Sequence, residues 1–274
     1  MKNNQPLVSI VIPVKNGMPY LEKCLESVFL STYLNIEVVV SHDKSSDGTN
    51  EFLLGVDHPK LRLISPGTPM TIGEHWTFVS AQATGKYIKL LCADDTITPA
   101  AIQNQVDELE KNSQVVMACS KRDVINRNGK ILLPSYGLVR RKKYLEGEIA
   151  LRKTILSGTN IFGEPSSVLF REDVFKACLP WAEERVYLLD LDFYAKVLKT
   201  KDGLVAFLTT TDGTFRVHGG SLSSRVQKRH VDQFMDFATQ YYSGPLGEKL
   251  PKRRIWLKAQ IKTGIRSAFF LLNN

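Results

Sequence analysis

The residues Leu7-Val8-Ser9-Ile10-Val11-Ile12-Pro13-Val14 form a nearly continuous apolar run close to the start of the chain. A strand with no polar face has no solvent side, so this run predicts a parallel strand covered by other elements above and below. Asn16-Gly17 breaks the run, and Leu21, Leu25, Val28 and Phe29 then recur at helical spacing. The alternation continues with a strand over 36–40, a short helix through Phe52 and Leu53, a strand over 61–64, a helix over 73–83, and strands over 87–91 and 115–119. Between the last two, Thr98-Pro99 reads as N-cap and first residue of a helix that carries Ile102, Val106 and Leu109 on one face. This order over residues 7–120 predicts a doubly wound α/β sheet.

Past residue 120 the pattern loosens. The sequence predicts a turn at 126–129, a polar basic loop over 134–143, a helix over 146–156 and a short strand over 166–170. A helix over 190–198, strands over 205–208 and 214–217, and two closing helices over 226–242 and 252–272 follow. Composition fits a soluble globular protein, 43% hydrophobic and 23% charged. No apolar run approaches the ~20 residues that span a bilayer, and residues 1–6 lack the apolar core of a signal peptide. Cys24, Cys92, Cys119 and Cys178 are widely spaced, without a CxxC pair, and read as buried thiols of a cytoplasmic protein.

The net charge of +8 is concentrated at one end: residues 225–274 hold ten basic and three acidic side chains. A basic tail on a nearly neutral body predicts attraction to an anionic surface. Trp256, Leu257, Ile261, Ile265, Phe269 and Leu272 recur at helical spacing among its lysines and arginines. Such a helix either lies in a lipid interface or packs its stripe on the body. No nucleic-acid motif accompanies the charge, so nucleic acid is not an expected partner.

Candidate chemistry sits at the strand ends. Asp94-Asp95 closes the apolar run of 87–93, and paired carboxylates repel unless a cation or donor neutralises them. The natural guest is a hard divalent ion held together with substrate phosphates; the bland alternative is a capped turn before Thr98-Pro99. There is no GxGxxG after the first strand and no GxxxxGK[ST], so the common dinucleotide and P-loop sites are missing.

Five motifs occur in order: Pro13-Val14-Lys15-Asn16-Gly17, His42-Asp43-Lys44-Ser45-Ser46-Asp47-Gly48-Thr49, Asp94-Asp95, Asp190-Leu191-Asp192, and Arg216-Val217-His218-Gly219-Gly220-Ser221-Leu222-Ser223. Over residues 7–223 the set resembles the family-2 inverting glycosyltransferases with a GT-A fold, of the bacterial cell-surface polysaccharide type. The resemblance implies a GT-A domain over 1–223, with a nucleotide-binding half (1–120) and an acceptor-binding half (121–223), and a basic helical extension over 224–274.

It also implies a transferase that moves a sugar from a nucleoside-diphosphate donor, UDP-sugars favoured, to a hydroxyl of a glycan or lipid-linked glycan at the inner membrane face. Asp94, Asp95 and His218 would hold Mn²⁺ or Mg²⁺, and Pro13, Asn16, His42 and Asp43 would join Asp94 and Asp95 on the nucleotide. The family usually places an acid where His42 stands, and often Glu where Leu189 stands. Asp190 would be the catalytic base, while Glu164, Trp181 and Asp192 would line the acceptor side. Asp192 also reads as a helix-start charge, Trp181 as core, Arg216 and Ser221 as phosphate contacts or solvated loop, and Asp47 as a helix cap. The competing reading is a catalytically inactive module of the same fold that binds nucleotide sugars.

Overall fold

The computed structural model describes residues 5–137, 143–200, 203–221, 228–244 and 248–273. Strand β1 (Val8–Val14) is buried along its whole length. It lies between β2 (Ile36–His42) and β4 (Tyr87–Leu90), parallel to both, and β3 (Leu61–Ile64) extends the parallel set beyond β2. Past β4 the sheet becomes mixed. Strand β8 (Val168–Arg171) runs antiparallel to β4 and to β5 (Val115–Asn126), and β9 (Leu204–Val217) runs parallel to β5. Strands β6 (Ile131–Tyr136) and β7 (Tyr144–Glu146) pair antiparallel with β5 and β9. The order is β3-β2-β1-β4-β8-β5-β9-β7, with β6 off this path.

Alternate residues of β1 feed two core layers, as a pleated strand requires. Val8, Ile10, Ile12 and Val14 meet helix α1 (Leu21–Phe29), α2 (Thr49–Leu54) and α4 (Ala101–Lys111). Val11 joins the larger layer with α3 (Ile72–Ala81), α5 (Gly147–Ser157), α6 (Glu172–Ala177) and α7 (Leu189–Thr200). Helices α8 (Lys228–Tyr241) and α9 (Lys252–Asn273) bury Phe234, Phe237, Ile255 and Ala259 in that same layer. The segment expected as an extension therefore packs into the body; its expected boundary at 223/224 lies outside the described residues.

Pro13 is compatible with a central strand because of where β4 stops. The Leu91 N–H donates to the Val11 carbonyl, and β1–β4 pairing ends at Val11–Leu90. Pro13, two residues on, faces the same side past that end, where no ladder bond is lost.

Several local expectations are corrected. Helix α4 starts at Ala101 with no side-chain cap, so Thr98 is not its N-cap and Pro99 is not its first residue. The Thr98 N–H instead donates to the Asp212 carbonyl, and Ile97 bridges Gly213, because 96–98 runs along β9. The two strands expected over 205–208 and 214–217 are one strand, β9, whose register against β5 shifts by bulges. Pro134 lies in β6 rather than in a loop, while 138–142 of the expected loop lie outside the described residues. Residues 165–167 form a 3-10 turn, so β8 begins at Val168. The four cysteines are free thiols.

Candidate active site

The chain leaves β1 for β2 and β3 on one side and returns to β4 on the other. This makes a topological switch point at the carboxyl ends of β1 and β4, where ligands bind in open α/β sheets. The residues after β1 and after β2 are stitched together there. The Asn16 N–H donates to Ser45 Oγ (2.9 Å), and the Ser46 N–H returns a bond to Asn16 Oδ1 (2.9 Å). Asn16 holds this bracket at a φ of 52°, a conformation that asparagine tolerates better than most residues. Gly17 donates to Thr49 Oγ1 and Met18 to Asp47 Oδ2, so Asp47 joins the two loops as well as accepting from the Thr49 N–H.

Asp43 lies buried at the base of this bracket. Lys15 Nζ donates to its Oδ2 (2.8 Å) and the Lys44 N–H to its Oδ1 (2.7 Å). The Lys15 hydrogen bond is the main reason its carboxyl is held below the usual range, against the upward pull of burial. His42 is half-buried, and its Nδ1 is buried without a hydrogen-bond partner. Behind it, His75 Nε2 lies 2.8 Å from Ser41 Oγ, and burial pushes the His75 pKa down.

Asp94 and His218 meet across the end of β4. His218 Nε2 lies 2.9 Å from Asp94 Oδ2, with both side chains partly open to solvent. Asp95 turns the other way: it is buried, and its Oδ1 accepts from the Arg216 N–H (2.9 Å). Burial first, and then the charge of Asp94, push its carboxyl well above the ordinary range. Asp95 therefore pins the strand-end turn to β9, and the open carboxylate beside the histidine is Asp94.

Arg216 is likewise buried. It donates through Nε to the Asp94 carbonyl (2.7 Å) and through Nη1 to the Asn126 carbonyl (3.2 Å), and it lies over the Tyr20 ring. It buttresses the turn instead of reaching outward to phosphate, and Ser221 Oγ caps the His218 carbonyl. Cys92, Asp94 and Asp95 bring ligand atoms within 4.8 Å of one another. An open carboxylate next to an imidazole, with a second carboxyl buried beside it, is a donor set that suits a hard divalent ion.

Asp190 stands at the start of α7. Its Oδ1 accepts from the Leu191 N–H (2.8 Å) and its Oδ2 from Asn160 Nδ2 (3.0 Å). Burial raises its pKa to about 6, reinforced by the charge of Glu164 and opposed by the Leu191 N–H, Arg266 and Asn160. The same pattern of charges links the clusters: Cys92 feels Asp94, Asp95 and Asp190 together. Glu164 is paired with buried Arg122 at 2.5 Å. The charge of Glu164, expected on the acceptor side, is thus already met within the protein.

Two acceptor-side expectations are overturned. Trp181 is only 2% exposed. Its ring stacks on Phe193 with centroids 3.8 Å apart, and its Nε1 donates to Ser80 Oγ, so no ring face is left for a sugar. Asp192 is buried in an ion pair with Arg185 (2.6 Å), with Lys196 at 3.7 Å, and points away from Asp190 as residues two apart on a helix must.

Residues 9–179 match the Glycosyl transferase family 2 profile, more than half of the chain. The chain belongs to glycosyl transferase family 2. Among relatives of this family-2 chain, an uncharacterized glycosyltransferase of Rickettsia typhi is 28% identical over 203 residues, covering 73% of this chain and 61% of the relative. The chondroitin synthase of Escherichia coli is 32% identical over 133 residues, 48% of this chain and 19% of the synthase. The chain thus spans less than two thirds of the length of these relatives.

Two solved structures share its architecture. One is S. aureus TarS 1–349 in complex with UDP-GlcNAc, with a TM-score of 0.67 at 15% identity, covering 94% of this chain and 72% of TarS 1–349. The other is the mannosyltransferase PcManGT from Pyrobaculum calidifontis in complex with GDP-Man and Mn²⁺, with a TM-score of 0.64 at 16% identity, covering 99% of this chain and 73% of that one. At such identities the likeness carries the fold, and the fold is GT-A.

Sequence reasoning missed Lys15, His75, Arg122, Asn160 and Arg266. Only Lys15 carried a signal, a lysine directly after β1. The others reach the site from elements distant in sequence.

Proposed function

We propose that this chain is a metal-dependent inverting glycosyltransferase, which moves a sugar from a nucleoside-diphosphate donor to a hydroxyl of a glycan or lipid-linked glycan in cell-surface polysaccharide synthesis. The observation that carries this reading is the convergence of the Asp94–His218 pair and a raised carboxyl, Asp190, on one end of the sheet. Asp94 and His218 would hold Mn²⁺ or Mg²⁺, with Asp95 setting the turn that presents Asp94. When bound, the ion would neutralise charge that develops on the leaving diphosphate.

The loops bracketed by Asn16, together with Pro13, Asp43 and His42, form the wall on which the base and ribose rest. UDP is the favoured nucleotide, and the complexes of TarS with UDP-GlcNAc and of PcManGT with GDP-Man support a nucleotide-sugar donor. Asp190 takes the proton of the acceptor hydroxyl as that oxygen bonds to the anomeric carbon and the bond to the diphosphate breaks. Attack on the face opposite the leaving group inverts the centre. A carboxyl lifted to about 6 is still ionised at neutral pH, yet is a stronger base than a solvent-exposed aspartate. A lipid-linked acceptor would be met at the cytoplasmic face of the membrane.

A panel of nucleotide sugars with Mn²⁺, read by nucleoside diphosphate release and product linkage, tests the proposal. Donor binding without turnover for any donor would favour the inactive binding module, to which His42 and the buried Leu189 lend the only support.

A further inference from the structure

Helix α9 is apolar on two opposite sides. Its inner side is fixed to the body. Ile255 and Ala259 are buried, Lys258 Nζ donates to the Leu156 carbonyl (2.8 Å), and Phe269 packs by Val124 and Val217. The helix cannot roll, because a Cβ on Gly158 would already meet the Ala259 backbone at 2.8 Å. Its outer side carries Leu257, Ile261 and Ile265, exposed by 54, 53 and 61%; Trp256, 46% exposed, lies about 100° round the helix from Leu257. Residues four apart form one row along a helix, so the first three make a continuous ridge about 12 Å long. Most of the stripe read from the sequence thus faces outward instead of packing on the body.

The charge around this ridge is of one sign. Residues 249–274 contain seven lysines and arginines and no acid, and Lys252, Arg253, Arg254 and Lys262 are exposed. The geometry points to an anionic phospholipid surface as the occupant of this face. An aliphatic ridge on a helix that also exposes a tryptophan suits the headgroup boundary, and the flanking cations suit lipid phosphates. A second copy packed ridge to ridge would bring two sets of like charges together with no acid on either helix to offset them. Nucleic acid would satisfy the cations and leave the ridge in water.

This inference stands apart from the transfer reading, and its test uses no substrate. The whole chain is sedimented with vesicles of phosphatidylcholine alone and with 30% phosphatidylglycerol, a composition set by the experimenter at roughly the anionic content that makes such surfaces attractive. Expected is binding to the anionic vesicles at least about tenfold tighter, weakened by salt. The triple variant Leu257→Ser, Ile261→Ser, Ile265→Ser should lose binding while its melting temperature and donor affinity stay unchanged. Arg253→Glu with Lys262→Glu should lose the lipid preference. Absence of binding to anionic vesicles at low salt overturns the inference. So does equal binding by the triple variant, or a chain that sediments as a dimer which the triple variant dissociates.

Discussion

His218 Nε2 and Asp94 Oδ2 lie 2.9 Å apart although 124 residues separate them in the chain. The contact exists because β9 runs beside β5 and carries Val217 to the switch point, while Arg216 ties the Asp94 carbonyl and the Asp95 carboxylate to the same strand. If this pair holds the divalent ion, Asp94→Ala should lower nucleoside diphosphate release by about 10²–10³-fold, the equivalent of several kcal/mol of charge stabilisation. His218→Ala should instead raise the metal concentration for half-maximal activity by about 10–100-fold and be rescued by excess Mn²⁺. Metal titration of turnover distinguishes the two. Removal of metal by a chelator should stop transfer and leave the fold intact, because neither side chain belongs to the core.

Asp190 works as a base only when ionised, so kcat/KM should fall as pH drops through about 6 and be flat above it. Arg266→Ala removes a charge that lowers this pKa, so the inflection should move up; Glu164→Gln removes one that raises it, so the inflection should move down. Asp190→Asn should lower kcat by about 10²–10⁴-fold and leave the donor dissociation constant unchanged. The effect on stability has the opposite sense. The folded carboxyl holds its proton more tightly than the unfolded one, so Asp190 lowers stability progressively between about 3.8 and 6 and fully above that. pH–rate profiles and pH-dependent melting measure the two effects separately.

Trp181 is a core residue stacked on Phe193, so Trp181→Ala should destabilise the protein by about 3–5 kcal/mol. Trp181→Phe should recover most of that loss with acceptor KM unchanged. A sugar-stacking role would show the reverse, a raised KM with an ordinary melting temperature.

Arg185→Ala takes the 2.6 Å partner from buried Asp192, and removal of one partner from a buried pair costs about 3–5 kcal/mol. Chemical denaturation should report that loss, while kcat/KM of the folded fraction stays within about twofold, as for a mutation outside the site.

Most of the secondary structure was legible along the chain because its signals are local. The apolar run of 8–14 can only be a covered strand, and Asn16-Gly17 can only end it. The motifs at 13–17, 42–49 and 94–95 were legible for the same reason, since each sits at or just past the carboxyl end of a strand. Thr98 was misread because its capping pattern is local too, but the partner that claims its backbone, Asp212, is not.

Residue order alone decided the alternation of strands and helices, the strand ends that carry carboxylates, and the charge at the C-terminus. Tertiary structure decided the direction of each side chain. Asp94 stays open while Asp95 is claimed by the Arg216 amide; Asp190 reaches the site while Asp192 is sealed under Arg185; the ridge of α9 faces out while Ile255 and Ala259 face in. Periodicity fixes which residues share a face, but which face is covered depends on neighbours that arrive from far along the chain, and no local pattern encodes their arrival.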